Sequence, residues 1–137
     1  MKTTPATMEG SVEITVDSVT LPGDLSIPSG AGSLVLFAHG SGSSRRSPRN
    51  RFVASVLQKN SIATLLFDLL TPREDTNYEM RFDIEFLTQR LEAVTAWIES
   101  QPDISSFSIG YFGASTGAAA ALGAAADLPN RIKAVVS

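Results

Sequence analysis

The spacing of apolar and polar residues changes period several times along this chain. Val12, Ile14 and Val16 alternate with Glu13, Thr15 and Asp17, the two-residue period of a half-buried strand. Pro22-Gly23 reads as a turn, and Leu25 and Ile27 as a short second strand. An N-terminal antiparallel pair is therefore expected. Leu34 to Ala38 is continuously apolar, as in a strand covered on both faces. "SIATLLFDLL" and "FSIGYFGAS" repeat that pattern, and "IKAVVS" begins it a fourth time. Three segments between them read as helices. The first puts Phe52, Val53, Val56 and Leu57 on one helical face. The second places Ile84, Leu87, Leu91, Val94 and Ile98 at three- and four-residue steps. The third, "TGAAAALGAAADL", is built from small residues.

Strands alternating with helices predict βαβ units with right-handed crossovers. The expected fold class is α/β, a mostly parallel doubly wound sheet with an antiparallel pair at its start. Ligands in such sheets bind at the carboxyl ends of the strands. His39, Asp68 and Ser115 each follow a buried strand, so all three are expected on one rim. The chain ends at Ser137 as its last strand finishes or still runs. That predicts a C-terminally incomplete domain with an open apolar edge, able to pair with a second copy or a completing chain.

Composition narrows the classes. At 137 residues the chain is long enough for one domain with its own core. With 43% apolar and 18% charged residues it is not a disordered chain. A net charge of -3 gives no electrostatic reason for a nucleic-acid partner. The absence of cysteine removes disulfide and thiolate chemistry and suits a reducing cytoplasm. Residues 1–10 are polar, lack the apolar core of a signal peptide and are expected to form a loose tail before a domain spanning 11–137. The longest run of small apolar residues, 118–126, is too short to span a bilayer. No His/Asp/Glu cluster has ligand spacing, so no metal or cofactor is expected.

The chemistry concentrates in two segments. Gly113-Ala114-Ser115-Thr116-Gly117 is a G-x-S-x-G between a strand and a helix. Gly113 and Gly117 would allow a sharp turn that lifts Ser115 out of the sheet at a helix N-terminus. A glycine turn that merely packs the helix, or a phosphate-cradling loop, is the alternative. "HGSGSS", residues 39–44, is the other segment. Acyl transfer needs N–H groups aimed at a developing oxyanion. The N–H of Thr116 is one candidate and that of Ser41, after His39-Gly40, the second, with Gly42 its neighbour. His39 is the chain's one histidine, and it reads as a residue that orients its loop rather than as a catalytic base. Arg45, Arg46, Arg49 and Arg51 lie within seven residues. They read as a solvated loop or, in the functional alternative, as an anion-binding patch. Asp68 reads as a loop-bonding residue before a catalytic acid. A Rossmann-type nucleotide site is disfavoured, because "GYFGAST" is not G-x-G-x-x-G.

The order strand, HG loop, helix, strand, "FDLL", helix, strand, GASTG, helix resembles the α/β-hydrolase fold, most closely its dienelactone hydrolase-like branch. The resemblance covers roughly residues 12–137 and only the first part of the family's domain. It implies an esterase or lactonase with Ser115 as nucleophile and Ser41 and Thr116 as oxyanion donors. Gly113, Gly117, His39 and Gly40 would support the elbow and loop. The family's acid and histidine come from the loops that follow two further strands, which have no counterpart here. Dienelactone hydrolases proper carry cysteine at the nucleophile position, so their substrate is not implied. The alternative is a non-catalytic, truncated hydrolase-like domain that binds an anion or a partner protein.

Overall fold

The computed structural model describes residues 8–137. Strand β1 (Met8–Val16) and strand β2 (Val19–Ile27) form an antiparallel hairpin. The turn is Asp17-Ser18, with both residues at positive φ, 48° and 67°. Such two-residue turns match the right-handed twist of the flanking strands. Pro22-Gly23 is not the turn. Both residues lie inside β2, opposite Glu13 and Val12. Pro22 gives no N–H to the ladder, but its carbonyl accepts the Asp68 N–H at 3.1 Å. Residues 8–10, expected in the tail, begin β1; the rest of that tail lies outside the described residues.

Strand β3 (Ser33–Ala38) is followed by helix α1 (Pro48–Lys59), strand β4 (Ala63–Phe67), the short helix α2 (Pro72–Asp75) and a single 3-10 turn at Met80–Phe82. Helix α3 (Ile84–Glu99), strand β5 (Ser108–Gly113), helix α4 (Thr116–Asp127) and strand β6 (Ile132–Val136) complete the order. The six strands lie in the order β1-β2-β4-β3-β5-β6. β2 runs antiparallel to β4, and β3, β4, β5 and β6 run parallel.

Alternate residues of the central strands feed two cores. Leu34, Leu36, Leu65, Phe67, Ile109 and Tyr111 pack with Leu87, Leu91, Val94 and Ile98 of α3 and with Ala120, Ala121 and Ala124 of α4. Each fully buried large side chain there is worth roughly 1.5–3 kcal/mol. The three alanines explain the small-residue helix, since they let α4 lie close against α3 and the sheet. On the other face Phe37, Leu66 and Ala54 form a smaller core with Val53 and Leu57 of α1. The face of α1 is rotated from the expected one. Val53 and Leu57 point inward, but Phe52 is 68% and Val56 42% exposed, and Asn50 and Ala54 take the buried positions. Helix starts follow local chemistry. Ser47 caps α1 before Pro48, Thr71 and Glu74 form a capping box on α2, and Asp83 caps α3.

The chain leaves β3 for β4 on one side and returns across it to β5 on the other. The carboxyl ends of β3 and β5 are therefore the topological switch point, where ligands of such sheets bind. β1 and β6 are the sheet edges among the described residues, and Val136 is 56% exposed on the latter.

Candidate active site

Ser115 stands between β5 and α4 with φ 56° and ψ -123°. A residue with a Cβ pays about 1–3 kcal/mol to hold such a conformation. The surroundings enforce it. A Cβ on Gly113 would lie 2.6 Å from the Gly117 carbonyl oxygen, and one on Gly117 would collide with the carbonyls of Ala38 and His39. The elbow is thus pressed against the end of β3, and Ala114 N–H donates to the Ala38 carbonyl at 3.1 Å. Serine is among the best helix N-cap residues, yet Ser115 makes no side-chain cap bond. Its hydroxyl is exposed and unspent, while Gly113 and Gly117 beside it are buried.

The 39–45 loop meets this elbow directly. A Cβ on Gly40 would come within 2.9 Å of the Ser115 Cβ, so only glycine allows the approach. The Gly40 carbonyl accepts His39 Nδ1 at 2.8 Å and the Ser43 N–H at 3.1 Å. In a trans peptide the N–H points opposite to the carbonyl, so these bonds turn the Ser41 N–H away from them. Neither the Ser41 nor the Thr116 N–H has a protein acceptor among the described residues. Ser41 and Thr116 line one narrow cleft with His39, Gly40, Leu69 and Arg81. The cleft holds only about 10 Å³. A groove of about 510 Å³ opens elsewhere, between the hairpin and α1, lined by Asp24, Arg51 and Gln58. The smaller cleft is the better candidate because it adjoins the strained serine, and chemistry outranks volume here.

His39 is 7% exposed and both ring nitrogens are engaged. Nε2 accepts the Leu69 N–H at 3.0 Å and Nδ1 faces the Gly40 carbonyl. That pattern fits the neutral Nδ1–H tautomer and leaves no lone pair for a serine proton. His39 thereby ties the start of its loop to Leu69. Asp68 is committed as well. Its carboxylate accepts the Arg45 N–H and the Arg45 guanidinium, both at 2.8 Å. Arg45 also approaches Asp24 at 3.7 Å, and Arg51 pairs with Asp24 at 3.4 Å. The arginines therefore do not converge as a single patch. Arg46 and Arg49 are exposed and form no ion pair among the described residues. Arg81 lines the cleft, but it too is committed: its Nε donates to the Asp75 carbonyl at 2.8 Å and lies 3.2 Å from the Asp75 carboxylate, which lines the cleft beside it. Arg81 comes from the 3-10 turn, a segment with no periodic signal in the sequence.

No family model matches the chain. A dienelactone hydrolase from Anabaena variabilis matches with a TM-score of 0.91 and 52% identity, covering 94% of this chain and 62% of that one. This chain has a dienelactone hydrolase-like α/β-hydrolase fold. A Mycobacterium tuberculosis protein provisionally named a phosphoribosyl transferase is 53% identical over 97% of the chain. A thiohydrolase of Aspergillus aculeatus is 32% identical over 90%. The chain spans 30% and 39% of those two proteins and 62% of the Anabaena hydrolase. The dienelactone hydrolase-like fold thus occupies the N-terminal portion of the hydrolase domain, and its likeness supports a hydrolase-type function. No helix among the described residues is long and apolar enough to cross a membrane.

Proposed function

We propose that this chain carries the nucleophile half of a serine hydrolase acting on a small ester or lactone. Ser115 attacks the acyl carbon, and the N–H groups of Thr116 and Ser41 hold the oxyanion. The observation that carries this reading is Ser115 itself, an exposed, uncapping serine held at φ 56°. A structural turn would have no use for that strain, because glycine would fit without it. The dienelactone hydrolase and the thiohydrolase support acyl transfer as the chemistry. Phosphoribosyl transfer needs no covalent serine, and this chain spans 30% of the protein named for it.

Ser115 needs a base. With the His39 lone pair held by Leu69, that base and its acid partner come from outside the described residues. The open edge at β6 is where a completing segment, a second copy or another chain would join the sheet. The absence of cysteine is consistent with a cytoplasmic setting. The test is hydrolysis of p-nitrophenyl esters and simple lactones by the full-length protein beside S115A. Turnover in the wild type should fall by about 10³-fold or more in the variant. Equal turnover in both would refute Ser115 as the nucleophile, and no turnover in the folded wild type would leave the non-catalytic binding domain as the better reading.

A further inference from the structure

The loop that carries Ser41 is fastened at both ends to two consecutive residues, Asp68 and Leu69. At its start the Leu69 N–H donates to His39 Nε2 at 3.0 Å. At its end the Asp68 carboxylate accepts the Arg45 N–H and guanidinium, each at 2.8 Å. The anchor is rigid. The Asp68 N–H donates to the Pro22 carbonyl in β2 at 3.1 Å. The Leu69 carbonyl accepts Arg90 Nη1 at 2.8 Å, and the Arg90 fork grips Glu74. Between the two fastenings lie only Gly40, Ser41, Gly42, Ser43 and Ser44. Within this stretch only the Ser43 N–H to Gly40 carbonyl bond, at 3.1 Å, restrains the backbone, Ser44 Oγ accepting outward from the Arg46 N–H, and glycine gives the backbone its widest freedom. Asp68 and Arg45 do not line the cleft.

We propose that Asp68, acting through Arg45, is a positioning residue that presets the Ser41 N–H for the oxyanion. This rests on the reading of Ser115 as nucleophile. Untethering the loop at residue 45 spreads its five small residues over many conformations, few with the donor in place. Misplacing an oxyanion donor by about 1 Å can cost on the order of 10²-fold in rate.

The test is steady-state ester hydrolysis by the full-length protein with D68A, D68N and R45M, and amide exchange of the loop by NMR. D68A should lower kcat by about 10- to 100-fold with KM within about threefold of wild type. R45M should also lower kcat, and D68N, which keeps one acceptor for the Arg45 N–H, should fall between D68A and wild type. A simple field effect on the site predicts opposite signs for D68A and R45M, because they remove opposite charges. Opposite signs, or wild-type kcat in D68A, would overturn the proposal. Exchange at the Arg45 amide should accelerate at least about tenfold in D68A while β3 stays protected; unchanged exchange would overturn it equally. Should S115A keep wild-type turnover, the nucleophile reading fails, and the exchange result still decides whether Asp68 holds the loop.

Discussion

Gly117→Ala adds one methyl group where the elbow touches β3. The new Cβ would meet three backbone atoms, the carbonyl oxygens of Ala38 and His39 and the Ala38 carbonyl carbon, the last at 2.6 Å. None is the free end of a side chain. Relief requires α4 to lift or the end of β3 to move, and β3 is paired on both sides, to β4 and β5. Overpacking costs about 1–3 kcal/mol in ordinary cores, and an obstacle made of ladder backbone belongs at the top of that range. Alanine returns about 1 kcal/mol through its better helix propensity. The net loss should therefore be about 2 kcal/mol, a large fraction of the ~5–15 kcal/mol that holds a domain together. The assay is urea unfolding, where a slope of about 1–3 kcal/mol/M turns this loss into a midpoint shift of about 1 M. Gly32→Ala is the control, since its Cβ meets nothing within 4 Å; it should stay within about 0.5 kcal/mol of wild type. A Gly117→Ala protein as stable as the control would refute the close seating of the elbow on β3.

Two further predictions concern pH. Burial and the neighbouring Asp127 carboxyl push the Glu92 carboxyl up to about 7 from its ordinary 4.5. The folded state then binds more protons than the unfolded one between those values, so this group makes stability fall as pH rises through that window. E92Q should lose that fall and be more stable than wild type at pH 8 by on the order of 1 kcal/mol; urea midpoints at pH 5 and 8 check it. Glu74 behaves oppositely. Burial opposes its charge, but the hydrogen bonds from Arg90 and the Thr71 N–H outweigh burial and hold its carboxyl below 4.5. Its stabilisation is present above pH 4.5 and lost as pH falls through the folded value. R90M breaks an ion pair whose arginine is 3% exposed and should cost about 3–5 kcal/mol near neutrality. It should also flatten the acid limb of stability against pH, and an unchanged limb would count against the pairing.

The parallel strands and α3 were legible because their residues follow the period of the environment that buries them. Leu34 to Ala38 is apolar throughout since α1 covers one face and α3 with α4 the other. The elbow was legible because its glycines stand in a five-residue motif between a buried strand and a helix, although what forces Gly117 is the end of β3 and not the motif itself. What stayed hidden depends on partners distant in sequence. Pro22-Gly23 carries a strong local turn signal, but β2 continues through it because β4 and the Asp68 N–H take up its backbone. The face that α1 turns inward is set by its packing on Phe37 and Leu66, distant in sequence, which takes Ala54, Val53 and Leu57 and leaves Phe52 in solvent. Arg45 looked free because Asp68 lies 23 residues away, and no pattern along the chain announces that pair. Arg81 reaches the cleft from an aperiodic turn, where its pairing with Asp75 fixes its place.

The central claim is that Ser115 is a nucleophile presented to an oxyanion hole. Its most direct test is to treat the full-length protein with a fluorophosphonate and map the adduct by peptide mass spectrometry. One phosphonyl group on Ser115, absent from S115A, is the predicted result. An adduct on another residue, or a folded protein whose Ser115 stays unmodified while a control serine esterase is fully labelled, would contradict it.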